Sequence, residues 1–224
     1  MHSGSKPIQH VSIAAALILA GVILSGPVAV GIVEIFAPQP AWQDVSTFIS
    51  HYSWLQTLPY LFGFLIAGGF VVLVGSVPVS RDDHRVYRRA ASSFTTVAAG
   101  LIYFNYVLQV AFIPIALEDH PAIVAATTMA NPASLGWALE MIGYGVLGIA
   151  TALLAPLFNE SARQRLIGRL MLLNCAVSVL GAVLVPIYPG WVLTPFGMVL
   201  GAGWNILVAV IMILILREFR FRHA

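Results

Sequence analysis

The sequence predicts an all-α fold, a polytopic six-helix transmembrane bundle with both termini cytoplasmic, and three observations predict it. Of 224 residues, 59% are hydrophobic and only 9% are charged, against about 25% charged in an ordinary soluble domain. With mean hydropathy at +0.91, the solvent for most of this chain is lipid. Six apolar runs each approach or exceed the roughly 20 residues that a helix needs to cross the hydrocarbon core. Finally, when those runs are threaded as six crossings, every basic residue falls on one side. The length suits one compact bundle over residues 1–224 rather than several domains.

The first run is Val11–Phe36. Its apolar stretch exceeds the about 7–15 residues of a signal-peptide core, so an uncleaved helix is expected. Pro27, in "SGPVAV", is expected to kink it or end it early. Before the second run, Trp54–Val77, the stretch "PAWQDVSTFISHY" spaces Trp42, Val45, Phe48, Ile49 and Tyr52 as one helical face. That predicts a short helix lying on the outer surface. The third run, Ala90–Leu117, follows "RDDHRVYRR", where Asp82 and Asp83 are expected to moderate the arginine charge. "HPAIVAATTMANPAS" offers a weaker second surface helix before the fourth run, Ala133–Phe158. The fifth run, Leu170–Tyr188, turns tightly through "YPGWVLTP" into the sixth, Pro195–Leu216. Pro195 is well placed to open that last helix. Helices are expected throughout because backbone in lipid must satisfy its own hydrogen bonds.

Charge placement sets the direction. Lys6, Arg81, Arg85, Arg88, Arg89, Arg163, Arg165, Arg169, Arg217, Arg220 and Arg222 are all eleven Lys and Arg residues. Every one lies in the N-terminal segment, the second connection, the fourth connection or the tail. The positive-inside rule makes that side cytoplasmic and the expected location an inner (plasma) membrane. Trp42, Trp54, Trp137 and Trp191 fall at the opposite interface, where amphipathic rings prefer to anchor. The tail "REFRFRHA" reads as stop-transfer charge by the same rule.

Several function classes are disfavoured. Lys6 is the only lysine, so no span can carry a Schiff base. The six histidines avoid span centres, which argues against haem between helices. No zinc-protease, nucleophile-elbow or phosphate-loop motif is present. The arginines follow membrane topology, so no nucleic-acid partner is expected. A single cysteine, Cys175, excludes an internal disulfide and reads as a small buried hydrophobe.

What remains is Glu140, one carboxylate inside an apolar run. At helical spacing it shares a face with Gly136, Gly143, Tyr144, Leu147 and Thr151. Small residues mark helix contact in membranes, so the side chain is expected to point into the bundle. Such a group costs about 2.5–3.5 kcal/mol on insertion scales and is a functional candidate by default. The outer half of the protein holds no Lys or Arg to pair with it. It must be protonated, bind a cation, or take hydrogen bonds from Tyr144, Asn105, Gln109 or water. Asn105 and Gln109, Asn205 and Glu34 also point polar groups inward by spacing, with Glu34 at the mouth. His51, Glu118, Asp119 and His120 offer a metal-ligand set at the outer end, without motif spacing.

The leading expectation is an outward-facing pocket lined by acid and amide groups, binding or transporting a proton, a cation or a small amphipathic solute. No cofactor is assigned. Six helices without clear inverted repeats make a minimal transporter, so a homo-oligomer is a natural partner arrangement. One alternative is a membrane enzyme acting on a lipid or isoprenoid-like substrate, with Glu140 as general acid and Asp44, His51, Glu118 or His120 as partners. Another is a non-catalytic sensor or assembly partner. Glu140→Leu is expected to leave the fold intact, because it removes a buried polar group. Sidedness has a direct test: in a Cys175→Ser background, a cysteine at Gln43 should react with an impermeant maleimide outside intact cells. A cysteine at Asp82 should react only after permeabilisation, and the reverse pattern would overturn the orientation.

Overall fold

The structure is a computed structural model that describes residues 5–79 and 81–220. Among the described residues every regular element is helical. Six stretches are long and apolar enough to cross a membrane: Gln9–Phe36, Trp54–Ser76, His84–Ala116, Leu135–Leu157, Ala162–Ile187 and Pro195–Phe219. They match the six apolar runs and are compatible with a multi-pass membrane protein.

The first span consists of α1 (Ser5–Ile23), one π turn (Leu24–Val28) and α2 (Ala29–Phe36). Pro27 lies inside the π turn. Proline has no N–H to give and its ring crowds the carbonyl four residues back, and a wider turn relieves both. The helix therefore widens at Pro27 and does not end there. After the short α3 (Val45–Ser50), the second span is α4 (Leu58–Ser76). The third repeats the device: α5 (His84–Val107), a π turn (Leu108–Phe112), then α6 (Ile113–Ala116), which carries Pro114. A second short helix, α7 (Pro121–Thr127), precedes α8 (Leu135–Leu154), α9 (Ala162–Ile187) and α10 (Pro195–Arg220). Pro195 does open the last helix.

Two helices start earlier than hydropathy alone predicts. α5 begins at His84 and α9 at Ala162, because arginine, leucine and glutamine prolong a helix beyond its apolar part. Ser161 caps α9 by accepting from the Gln164 N–H at 3.1 Å. The Gln164 side chain returns to accept from the Glu160 N–H at 2.9 Å, a variant of the capping box.

The long helices close a ring in chain order. α1 packs on α4, α4 on α5, α5 on α8, α8 on α9, α9 on α10, and α10 returns to α1. Ile18, Phe70, Leu73, Leu154, Met171 and Ile215 fill the interior. Phe36, Phe104, Val199 and Ile206 face outward. α8 belongs to the most enclosed span: half of that span's apolar window is buried (50%), against 22% for the first and last spans. A polar group on α8 is therefore the one most readily hidden from lipid.

The connections at the end of the bundle away from the arginines pack on the protein itself. Thr47 N–H donates to Asp44 Oδ1 at 2.7 Å, capping α3, and that backbone bond holds the Asp44 carboxyl below its ordinary range. Phe48 of α3 joins Ile113, Ala116 and Val124 in a small second core. So the apolar face expected on a surface helix is buried against α6 and α7. Of the four tryptophans at this end, Trp54 is exposed, Trp42 and Trp137 are half-buried, and Trp191 is buried near Gly181. Trp191 is a packing residue rather than an interfacial anchor. On the other side, Asp83 pairs with Arg81 at 2.7 Å and Asp82 with Arg85 at 3.1 Å. These are exposed pairs of small energetic weight that moderate the arginine charge as expected. The tail from residue 221 onward lies outside the described residues.

The α8–α9 contact depends on Gly148. A Cβ there would stand 2.7 Å from Ser178 Cβ and 3.2 Å from Cys175 Cα. Gly148→Ala should cost about 1–3 kcal/mol through overpacking, measured by denaturation in mixed micelles. Gly100→Ala, where a Cβ meets nothing within 4 Å, should cost nothing.

Candidate functional site

Ser134 starts α8 by accepting from the Trp137 N–H at 3.3 Å. Glu140 follows within the second turn, about 8 Å along the axis from Leu135 at 1.5 Å per residue. Its face is the buried one: Gly136, Glu140, Gly143, Leu147 and Thr151 are all buried. Glu140 is 8% exposed and Asn105, opposite it on α5, is 0% exposed. The carboxylate points into the bundle.

Each carboxylate oxygen accepts a direct hydrogen bond. Asn105 Nδ2 donates to Oε2 at 3.0 Å, and the Tyr106 hydroxyl donates to Oε1 at 2.8 Å. Tyr106 also lies 3.0 Å from the Tyr144 hydroxyl. No Lys, Arg or His pairs with Glu140 among the described residues. Two hydrogen bonds therefore stand where a basic partner would otherwise be.

The amides are oriented from the backbone outward. Gln109, on the π turn that ends α5, accepts from the Met129 N–H at 3.1 Å and donates to the Thr127 carbonyl at 2.9 Å. A backbone N–H can only donate and a carbonyl can only accept, so the Gln109 amide has one orientation. Its second hydrogen goes to Asn105 Oδ1 at 3.2 Å. Asn105 must then turn its NH2 toward Glu140, where its other hydrogen reaches Met129 Sδ at 3.2 Å. Trp137 Nε1 donates to the Met129 carbonyl at 2.8 Å and pins the loop that starts this relay.

Two glycines make room for it. At Gly136 a Cβ would lie 2.6 Å from the Thr127 carbonyl oxygen and 3.2 Å from Asn105 Oδ1. At Gly63 of α4 it would lie 2.5 Å from the Tyr106 ring, which also packs against Tyr60 and Phe64. Tyr144 reaches across the ring interior to Trp204 of α10, with ring centroids 4.7 Å apart, and Trp204 Nε1 donates to Ser178 Oγ at 3.1 Å.

The expected site residues thus divide. Asn105 touches Glu140 directly, and Gln109 and Tyr144 lie one hydrogen bond further out. Asn205 is elsewhere: it donates to the Gly201 carbonyl of its own helix at 3.0 Å and lies beside Gly26 in the first π turn. Glu34 is exposed on α2. His51, Glu118, Asp119 and His120 are all exposed, and His51 Nδ1 lies 3.0 Å from the Thr47 carbonyl at the end of α3. Among the described residues no three His, Cys, Asp or Glu side chains are grouped to hold a metal. Asp44, invoked above as an enzymatic partner, is engaged as a helix cap.

Tyr106 is the participant that spacing missed. It completes the i, i+3, i+4, i+7 face of Ile102, Asn105, Tyr106 and Gln109, all four buried, but its ring reads as core packing rather than as a hydrogen-bond donor. The aromatic-amide cluster "YFNY" was the available signal. The loop groups Thr127 and Met129 act through backbone atoms and left no signal of residue type.

Fold and site together define a class: a bundle of six helices long and apolar enough to cross a membrane, enclosing a carboxyl group with no basic partner among the described residues. Comparison with protein-family models, with curated proteins and with solved structures finds no match.

The hydrogen bonds revise one expectation. Glu140→Leu would leave one Asn105 Nδ2 hydrogen unmet, while Tyr106 could turn to Tyr144, at about 1–3 kcal/mol for the unmet donor. Glu140→Gln keeps both contacts, accepting from Asn105 and donating to the Tyr106 oxygen. Denaturation in micelles should therefore find the Leu variant less stable than the Gln variant by that margin. Equal stabilities would mean that the network contributes nothing to folding.

Proposed function

We propose that this chain is a multi-pass protein of the cytoplasmic membrane, with both termini inside, that works as a small transporter or solute-binding protein. Glu140 is its working group, lying near the outer surface and exchanging a proton, a cation or a small amphipathic solute. Asn105, Gln109, Tyr106 and Tyr144 hold it in place. The observation that carries this reading is a buried carboxylate in an apolar span, without a basic partner among the described residues, gripped by side chains from another span. Pure helix adhesion needs no ionisable group, since neutral amides serve there at lower desolvation cost.

The inside position of the termini is supported by the confinement of all Lys and Arg to one set of segments. Enzymatic action on a lipid gains no comparable support, because the acid-base partners it would need are exposed or used as caps.

Reconstitution tests the reading. Liposomes holding the full chain and a trapped pH-sensitive dye should dissipate an imposed pH or cation gradient faster than empty liposomes. Glu140→Gln should reduce that flux by about tenfold or more, the scale of losing an acid-base group, while circular dichroism stays unchanged. Equal flux in both proteins would remove Glu140 from any transport role.

A further inference from the structure

The polarity of every bond around Glu140 carries a further conclusion, which rests on the reading of Glu140 as the working group. Both of its oxygens face donors: the Asn105 NH2 and the Tyr106 hydroxyl. A metal cation instead requires several oxygen or nitrogen lone pairs directed at one point. The Asn105 carbonyl oxygen is the amide ligand that could join Glu140, and it is held away by Gln109; the Tyr106 hydroxyl then supplies one neutral oxygen where a cation needs several. Turning it round would break the Gln109 contacts to Met129 N–H and the Thr127 carbonyl. The amide side of the site is thus locked in a form that repels cations.

The phenol side is not locked. A hydroxyl both donates and accepts, and its hydrogen rotates. Glu140, Tyr106 and Tyr144 form a chain in which each link can point either way. Glu140 and Tyr106 are buried, and Tyr144 is the partly exposed end. The remaining phenol nearby is Tyr60 of α4, in ring contact with Tyr106 at 5.7 Å. α10 presents Trp204, which does not ionise, and the loop before α8 presents Met129 and the Thr127 carbonyl.

We propose that the Glu140 site takes up a proton and excludes metal cations, and that the proton travels through Tyr144 and Tyr106, whose hydrogen bonds reverse direction as the carboxylate becomes a carboxylic acid. Before uptake, Tyr144 donates to Tyr106 and Tyr106 donates to Oε1. An aqueous proton bound at the Tyr144 oxygen displaces that residue's own hydrogen to the Tyr106 oxygen. Tyr106 then passes its hydrogen to Oε1. Each phenol breaks one O–H bond and forms one, the carboxylate gains one, and no electrons change centre. Afterwards Oε1–H donates to Tyr106 and Tyr106 donates to Tyr144. The Asn105 bond to Oε2 serves both states unchanged. Asn105 and Gln109 are therefore positioning residues that select the ligand.

Infrared difference spectroscopy on the full chain in lipid vesicles tests this. Acidification should produce a protonated-carboxyl C=O band that is lost in Glu140→Gln. Saturating Na+ or Ca2+ should leave it unchanged. In Tyr144→Phe the band should persist, while its hydrogen–deuterium exchange slows by about tenfold or more. Tyr106→Phe carries the same expectation should that variant fail to fold. Suppression of the band by Na+ or Ca2+ would overturn proton selectivity while leaving Glu140 as the working group. Wild-type exchange in the tyrosine variants would overturn the route. Absence of any Glu140-dependent band, at every pH where circular dichroism shows intact helices, would overturn proton uptake, while the transport reading would still stand or fall on the liposome flux of Glu140→Gln.

Discussion

A carboxylate buried among apolar helices must be answered locally, and the arrangement around Glu140 is that answer. With no lysine, arginine or histidine paired to it among the described residues, the carboxyl is met by two hydrogen bonds, one from an amide and one from a phenol. Hydrogen bonds to charged groups are shorter and stronger than neutral ones, and in surroundings of low dielectric an unmet one is costly. The donors must therefore be held in place. Gln109 and the 127–129 backbone hold Asn105, and the α4–α5 packing around Gly63 holds Tyr106.

That requirement ties the site to the fold at several levels. The loop before α8 is a structural part of the site, since its Met129 N–H and Thr127 carbonyl set the direction of the whole amide relay. Trp137, half-buried at the start of α8, fastens that loop. The π turn at Leu108–Phe112 lets the third span accept Pro114 and still present Gln109 inward. Gly136 allows the backbone of α8 to come close enough for Glu140 to meet α5.

The network has two chemically different halves. Amides fix direction because their donor and acceptor atoms are distinct, whereas hydroxyls can reverse. A site built only of amides would suit one charge state. The pairing seen here accommodates both states of a carboxyl without moving a heavy atom, and on that difference the proposals for proton uptake stand. A mainly structural role would need neither the acid nor the reversible half.

Much of the architecture was legible from residue types. Hydropathy located all six spans because transfer to lipid depends on composition summed over roughly 20 residues, and small-residue spacing correctly turned Glu140 inward. Helix ends were less legible, since α5 and α9 continue through arginine-rich turns that hydropathy treats as loop. Asn105, Gln109 and Tyr144 were placed near Glu140 by periodicity, but periodicity could not separate them from Asn205, which turned to its own helix and the first π turn. What the sequence by itself determined is six helices long and apolar enough to cross a membrane, the confinement of Lys and Arg to one set of connections, and one acid inside an apolar run, all of which follow from composition along the chain. Which donors meet that acid, and in which direction, only the tertiary structure decided, because Tyr106 and the 127–129 backbone reach it through contacts between segments that no local pattern encodes.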